Sequence, residues 1–305
     1  MSTIERTDEE YREGARALRR YGWALVRDPI TLAAVLILIV LFASAFAAEL
    51  VAPYDPLKQQ LAMRNQPPMT PAGVEGGFWH LLGTDELGRD LLSRLIYGGR
   101  VSIAVGLVGA VAAALIGITL GLLAGYYRGR VDDLVMRTVD VMAALPTLLI
   151  ALFFLFILGG GFWNIVLVLA FVRWRIFARI TRGMMLSLRE QAFVQAARAI
   201  GARDRRIIVR HILPNMLSPL LVLFTLEVAV LILAEAALSF LGFGIQPPES
   251  SWGLMIARGR EYLRSAWWLV TLPGLAIFCT TLSLNLVAAW VRAVTDPVQR
   301  WRWLA

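Results

Sequence analysis

Three carboxylates stand where a carboxylate is costly. Asp140, Glu227 and Glu235 lie within or beside long apolar runs. At bilayer depth such a group costs about 2.5 kcal/mol or more, so each is expected to face a cavity or a partner. Glu227, well inside its run, is the best candidate to line a pathway. Asp140 opens another run, and Glu235 reads as either pathway-lining or structural. Other chemistry is scarce. The only lysine, Lys58, follows Leu57, so no GxxxxGK[ST] phosphate loop exists. There is no HExxH. His80 and His211 both lie outside the apolar runs, which disfavours a Ser–His pair buried in lipid. Cys279 is the single cysteine, so neither a disulfide nor a cysteine-based metal site forms within the chain. No catalytic residue, metal site or cofactor is assigned to this chain.

Composition says where these groups must sit. Of 305 residues, 58% are hydrophobic and 17% charged, whereas an average soluble domain is about 25% charged. The excess reads as membrane-embedded. Roughly five to seven spans of about 20 residues occupy nearly half the chain. That leaves no room for a large soluble catalytic domain. The net charge of +8 would suggest nucleic acid on a soluble protein. Here arginines at the inner ends of membrane helices explain it better. Arg300, Trp301, Arg302 and Trp303 do interleave charge with aromatics, but in a chain this lipid-soluble no nucleic-acid partner is expected.

Six apolar runs predict an all-α integral membrane protein: 30–51, 101–125, 141–158 with Pro146, 162–172 (to 180 if Arg173 and Arg175 sit at the interface), 217–238, and 267–291 with Pro273. A basic lead, 1–29, precedes them. Tyr11, Ala15, Leu18, Gly22 and Leu25 recur there at helical spacing, as in a helix lying on the membrane; a solvated lead is the plainer reading. Ala43-Ser44-Ala45 resembles a cleavage site, but apolar character continues past it, so 30–52 reads as an uncleaved anchor. The stretch 53–100 is polar and proline-rich, turning helical at 91–97. The remainder divides into a core, 101–291, containing the basic connector 173–215, and a tail, 292–305. With both termini in the cytoplasm, 22 of the 30 Lys and Arg residues fall on the inner side. Trp163, Trp174, Trp267, Trp268 and Trp290 fall at run ends, where amphipathic rings prefer to lie. Gly109, Ala113, Gly117, Gly121 and Gly125 form a small-residue ridge at steps of four, suited to close helix packing with a partner inside or outside the chain.

The connector 173–215 holds the most unusual segment, REQAFVQAARAIGARDRRIIVRHILPN. Its spacing predicts a helix over 193–200, an interruption at Gly201, and a second helical piece over 204–213 that stops at Pro214. A small-residue face on this lump suits a groove on another protein, with arginines answering acids there. Lying against anionic lipid heads is the alternative.

This segment resembles the EAA loop of permease subunits in ATP-binding-cassette importers. Ala196, Ala197, Gly201, Leu213 and Pro214 fall on the motif's places, Gln195 replaces its leading Glu, and His211 replaces an Ile. LGTDELGRDLLSRLIYGGRVS, AGYYRG, ARITRGMMLSLRE, EAALSFLGFGIQPPESSWG and the late Asp296-Pro297 are similar to the dipeptide, oligopeptide and nickel permeases, of the C-subunit type. The resemblance implies a type I importer permease with six transmembrane helices in a bacterial inner membrane. It implies a second homologous permease, two cytoplasmic ATPases that bind ATP and Mg, and an external substrate-binding protein as partners, besides membrane lipid. It assigns ATPase coupling to Gln195, Ala196, Ala197, Gly201, Leu213 and Pro214, and peptides as the substrate class. Nickel or another small solute is the alternative cargo, and an ion-coupled secondary transporter the alternative class. On this reading Glu227 attracts a peptide's amino end. The stretches 53–100 and 244–266 either face the binding protein or merely cap the helices.

Overall fold

Local sequence signals start the helices. Asp28 caps α1 (Pro29–Phe46), its carboxylate accepting from the Ile30 and Thr31 amides at 3.2 and 3.3 Å. Pro29 sits at the first turn, where its missing N–H leaves nothing unpaired. A short turn, Ala48–Val51, follows. Asp90 caps α2 (Leu91–Tyr127) in the same way, accepting from the Ser93 amide at 2.8 Å. The remaining helices are α3 (Gly129–Ala144), α4 (Thr147–Leu158), α5 (Phe162–Leu188), α6 (Ala192–Ala199), α7 (Leu213–Phe240), α8 (Trp252–Gly259) and α9 (Trp268–Thr295).

This computed structural model describes residues 22–71 and 79–295. Most of the basic lead and nearly all of the tail, with Asp296, Pro297 and the Arg–Trp repeat, lie outside the described residues. Among the described residues there is no strand, only isolated bridges at Thr70–His80 and Thr84–Asp90. Four helices are long and apolar enough to cross a membrane: α1, α2, α7 with its lead-in from Asp204, and α9. A fifth span results if α3 and α4 count as one, although they meet at 90°.

Several expectations change in the structure. The run 141–158 is not one straight helix. Pro146 forces Leu145 into extended backbone (φ −99°, ψ 140°), ending α3 and starting α4. At 37 residues, α2 is about 55 Å long, well beyond a hydrocarbon core of about 30 Å. The region 173–215 is not one connector, since α5 stays helical to Leu188. Pro214 does not stop a helix. A π-helical turn at Ile207–Ile212 leads into α7 with the proline in its first turn, where no donor is needed. Trp174 is buried within the helix bundle at 6% exposure.

The small-residue ridge finds its partner within the chain. A Cβ on Gly121 would lie 2.6 Å from the Ala178 carbonyl oxygen, and one on Gly125 2.7 Å from the Met185 Cβ. Gly117 meets Trp174 and Phe177 in the same way. So α2 and α5 touch backbone to backbone from Gly117 to Gly125, and only glycine permits that approach. Gly109 instead faces Leu231 of α7, and Ala113 packs in a small cluster with Phe177. The main core joins α2, α5, α7 and α9, and α1 lies across α9 and α2.

Candidate functional site

The α5–α6–α7 elbow is built by a helix stop. Gly201 has φ +79°, a left-handed conformation suited to glycine. The Ala202 amide donates back to the Ala197 carbonyl and the Gly201 amide to that of Arg198, both at 3.0 Å. This closes α6 with a Schellman motif. One face of α6 buries Val194 and Ala197 against Tyr126, Met185, Ile207, Ile208 and Ile212. The opposite face is open: Phe193 is 43% and Ile200 85% exposed, with Ala196 exposed between them. Gln195 is exposed, and its side-chain amide donates to the Glu190 carbonyl at 3.1 Å. Leu213 packs against the same cluster as Val194, while Pro214 is exposed. Tyr126, near the end of α2, ties the elbow down. Its hydroxyl donates to Asp204 at 2.5 Å, and Arg189 donates to its carbonyl. Arg198 donates to the Tyr126 hydroxyl at 3.4 Å, which raises the pKa of that guanidinium above its ordinary value.

Each carboxylate singled out in the sequence has a partner. Arg173 grips Glu227 with a two-pronged fork, its Nε and Nη2 each donating to a carboxylate oxygen at 2.7 Å. Glu227 is 5% exposed. It is therefore a neutralised carboxylate between α5 and α7 here, and not a free anion awaiting a cation. Glu235 is fully buried and accepts from Ser102 of α2 at 2.9 Å and from Ser239 at 2.6 Å. Ser102 also accepts from the Trp252 amide at 3.2 Å, so this carboxylate joins α2, α7 and α8. Asp140 is exposed and pairs with Arg179 at 2.6 Å.

Other charged residues were not singled out in the sequence. On α5, Arg182 grips Asp132 of α3 at 2.9 and 2.6 Å, and Arg175 donates to Thr147 of α4 at 2.9 Å. The arginines that made 173–215 look like a solvated connector thus bind α5 to three other helices. Opposite charges isolated in separate apolar runs were the available signal, since such groups must find each other.

At the far end of α2 the described residues of 53–71 and 79–90 join α8 through a second network. Arg89 donates to Asp85 at 2.7 Å and to Glu86 at 3.1 Å, Arg94 pairs with Asp85 at 3.1 Å, and Arg258 pairs with Glu86 at 3.4 Å. Arg94 also donates to Ser250 at 3.3 Å. His80 pairs with Asp90 at 2.9 Å, under the Tyr54 ring. Burial and the Asp90 charge push the Tyr54 phenol above its ordinary pKa. Among the described residues, no group of three or more His, Cys, Asp or Glu is placed to hold a metal ion.

Comparison with known proteins fits this geometry. The chain is 41% identical over 280 residues to a di/tripeptide transport system permease protein, DppC, of Pseudomonas aeruginosa, covering 92% of each chain. It is 38% identical over 280 residues to a glutathione transport system permease protein, GsiD, of Pectobacterium atrosepticum, covering 92% of this chain and 90% of that one. The fold matches a chain of the MetNI methionine ABC transporter in an inward-facing conformation, with a TM-score of 0.54 and 19% identity over 67% of this chain and 97% of that one. Residues 17–68 match the N-terminal TM domain of oligopeptide transport permease C. Residues 117–301 match the binding-protein-dependent transport system inner membrane component, and the chain belongs to that family.

Proposed function

We propose that this chain is one of two permease subunits of an ATP-driven peptide importer, forming half of the translocation pathway. The relatives named for di/tripeptide and glutathione transport support peptides as cargo. The second homologous permease, two ATPase subunits and an external binding protein complete the machine. The chain crosses the membrane six times with both ends in the cytoplasm, α5 serving as the fourth crossing and α3–α4 as a broken third. The half-buried arginines of α5, Arg173, Arg175 and Arg182, are answered by carboxylates or a hydroxyl, which makes that crossing tolerable in lipid. ATP and Mg bind the partner ATPases.

The observation that carries this reading is the two-faced α6. Val194 and Ala197 clamp it to the bundle, while Phe193, Ala196 and Ile200 stand open. An amphipathic helix with a small residue between two apolar anchors suits a groove on another protein. There α6 acts as the coupling helix, with Gln195, Ala196, Ala197, Gly201, Leu213 and Pro214 shaping the elbow. The polar network at the other end of α2 supports reading 53–90 and 244–266 as the surface that meets the binding protein. The test is co-expression with the partner subunits. Ala196→Trp is expected to abolish co-purification of the ATPase while leaving the two permeases paired. Undiminished ATPase recovery would reject α6 as the contact. Uptake of labelled tri-alanine into vesicles carrying the whole assembly tests the cargo.

A further inference from the structure

The coupling helix hangs between two arms, and the arms are joined by two apolar clusters and an ion pair. At the α6 end, Met185 of α5 meets Ile207, Ile208, Ile212 and Met216 in one apolar cluster. Further up, a cavity of about 600 Å³ opens along α7 and α9, with α5 at its edge. Ile180 of α5, Pro219, Val222 and Leu226 of α7, and Arg292 of α9 line it. Immediately above it, next to Leu226, the Arg173–Glu227 fork closes the gap. The two ends of the fork stand at matching heights. Arg173 is about 22 Å along α5 from Leu188, and Glu227 about 21 Å along α7 from Leu213, at 1.5 Å per residue. The result is a closed frame of α5, the fork, α7 and α6, with the charged joint at its upper end.

An open-sided pair of arms would not transmit a push on α6 as one motion. Below the fork, α5 lies against α2 along the glycine ridge, and Phe177 of α5 shares a small apolar cluster with Leu223 and Phe224 of α7 beside the cavity. A two-pronged arginine–carboxylate contact fixes rotation and register as well as distance. Transmission through rigid elements needs such a fixed joint. We propose that Arg173 and Glu227 are positioning residues for transport, a pin that makes α5 and α7 one lever for the coupling helix. The inference rests on the reading of α6 given above.

The experiment uses the complete importer, with its second permease, ATPases and binding protein, in vesicles, and labelled tri-alanine as the probe. Removing one partner alone strands a buried charge and threatens folding, so both are replaced by apolar residues of similar size, an exchange that proteins tolerate well. Arg173→Met with Glu227→Leu is expected to leave assembly and ATP hydrolysis within about twofold of the parent and to lower uptake per ATP at least tenfold. Uptake per ATP unchanged would overturn the pin. A second variant removes the native thiol (Cys279→Ser) and carries Arg173→Cys with Glu227→Cys. A short bifunctional thiol reagent bridging the pair is expected to restore at least half of the lost coupling. If bridging instead abolishes the residual uptake, the arms must part at this height and the pin is wrong. Should the apolar pair fail to assemble, the bridged cysteine pair decides alone, in the same two directions. Failure of the α6 reading is separable, because it appears as unaltered ATPase recovery with Ala196→Trp, a variant that leaves the fork untouched.

Discussion

Glu235 accepts from two serine hydroxyls with no solvent exposure, so its substitution strands donors on two helices at once. An unsatisfied buried polar group costs about 1–3 kcal/mol. Glu235→Ala is expected to destabilise the purified complex by about 3 kcal/mol, and Glu235→Gln, which keeps an acceptor, by about 1 kcal/mol. Thermal melting in detergent measures both, and equal melting of Ala and Gln variants would reject the assignment. The glycine ridge gives a contrast within one helix. At Gly121 an added Cβ would meet the backbone of α5 at 2.6 Å, whereas at Gly109 it would meet the flexible end of Leu231 at 3.3 Å. Gly121→Ala is therefore expected to cut the yield of folded subunit severely, and Gly109→Ala to be tolerated. Quantifying folded protein by gel filtration distinguishes them. The spacing of the ridge was legible because small residues at steps of four have few other uses. Its partner was not, since that depends on which helix lies alongside.

At the scale of the element, α6 and its end at Gly201 were legible, because Gly201 and the alternation of small and large apolar residues are local signals, whereas the run through Pro214 into α7 was not. The space around Gly201 is open, so its role is conformational rather than steric. A side chain there strains the φ of +79° by about 1–2 kcal/mol. Gly201→Val is expected to fray the end of α6 and lower uptake per ATP several-fold, with Gly201→Asn closer to the parent because Asn tolerates that backbone. An Asn variant as poor as Val would point to a packing role instead. The lower half of α5 was not legible as a continuation of its helix. Its arginines end the apolar run, and only the carboxylates of α3 and α7, distant in sequence, reveal that they are paired. The break at Pro146 had its signal in sequence, but the 90° turn depends on where α4 finds space to pack.

At the scale of the whole molecule, the fold class and the family were readable from composition and ordered motifs, while the charge networks that hold the helices were not. The segment 53–90 illustrates the difference. Its sequence is proline-rich and irregular, yet Arg94, 3% exposed, pins it to Asp85 and to Ser250 near α8. Breaking a buried pair from one side costs about 3–5 kcal/mol. Arg94→Ala is expected to release the segment without unfolding the bundle, seen as faster proteolysis within 53–90. Cleavage at the parent rate would show that the network is dispensable. The length of α2 adds a consequence. One uninterrupted rod carries Arg94 near one tip and Tyr126, the anchor of the elbow, at the other. A tilt of ~5° about its midpoint shifts each tip by about 2–3 Å in opposite directions. A displacement at one tip of such a rod would thus reach the other tip without relay, carried by a single stiff body.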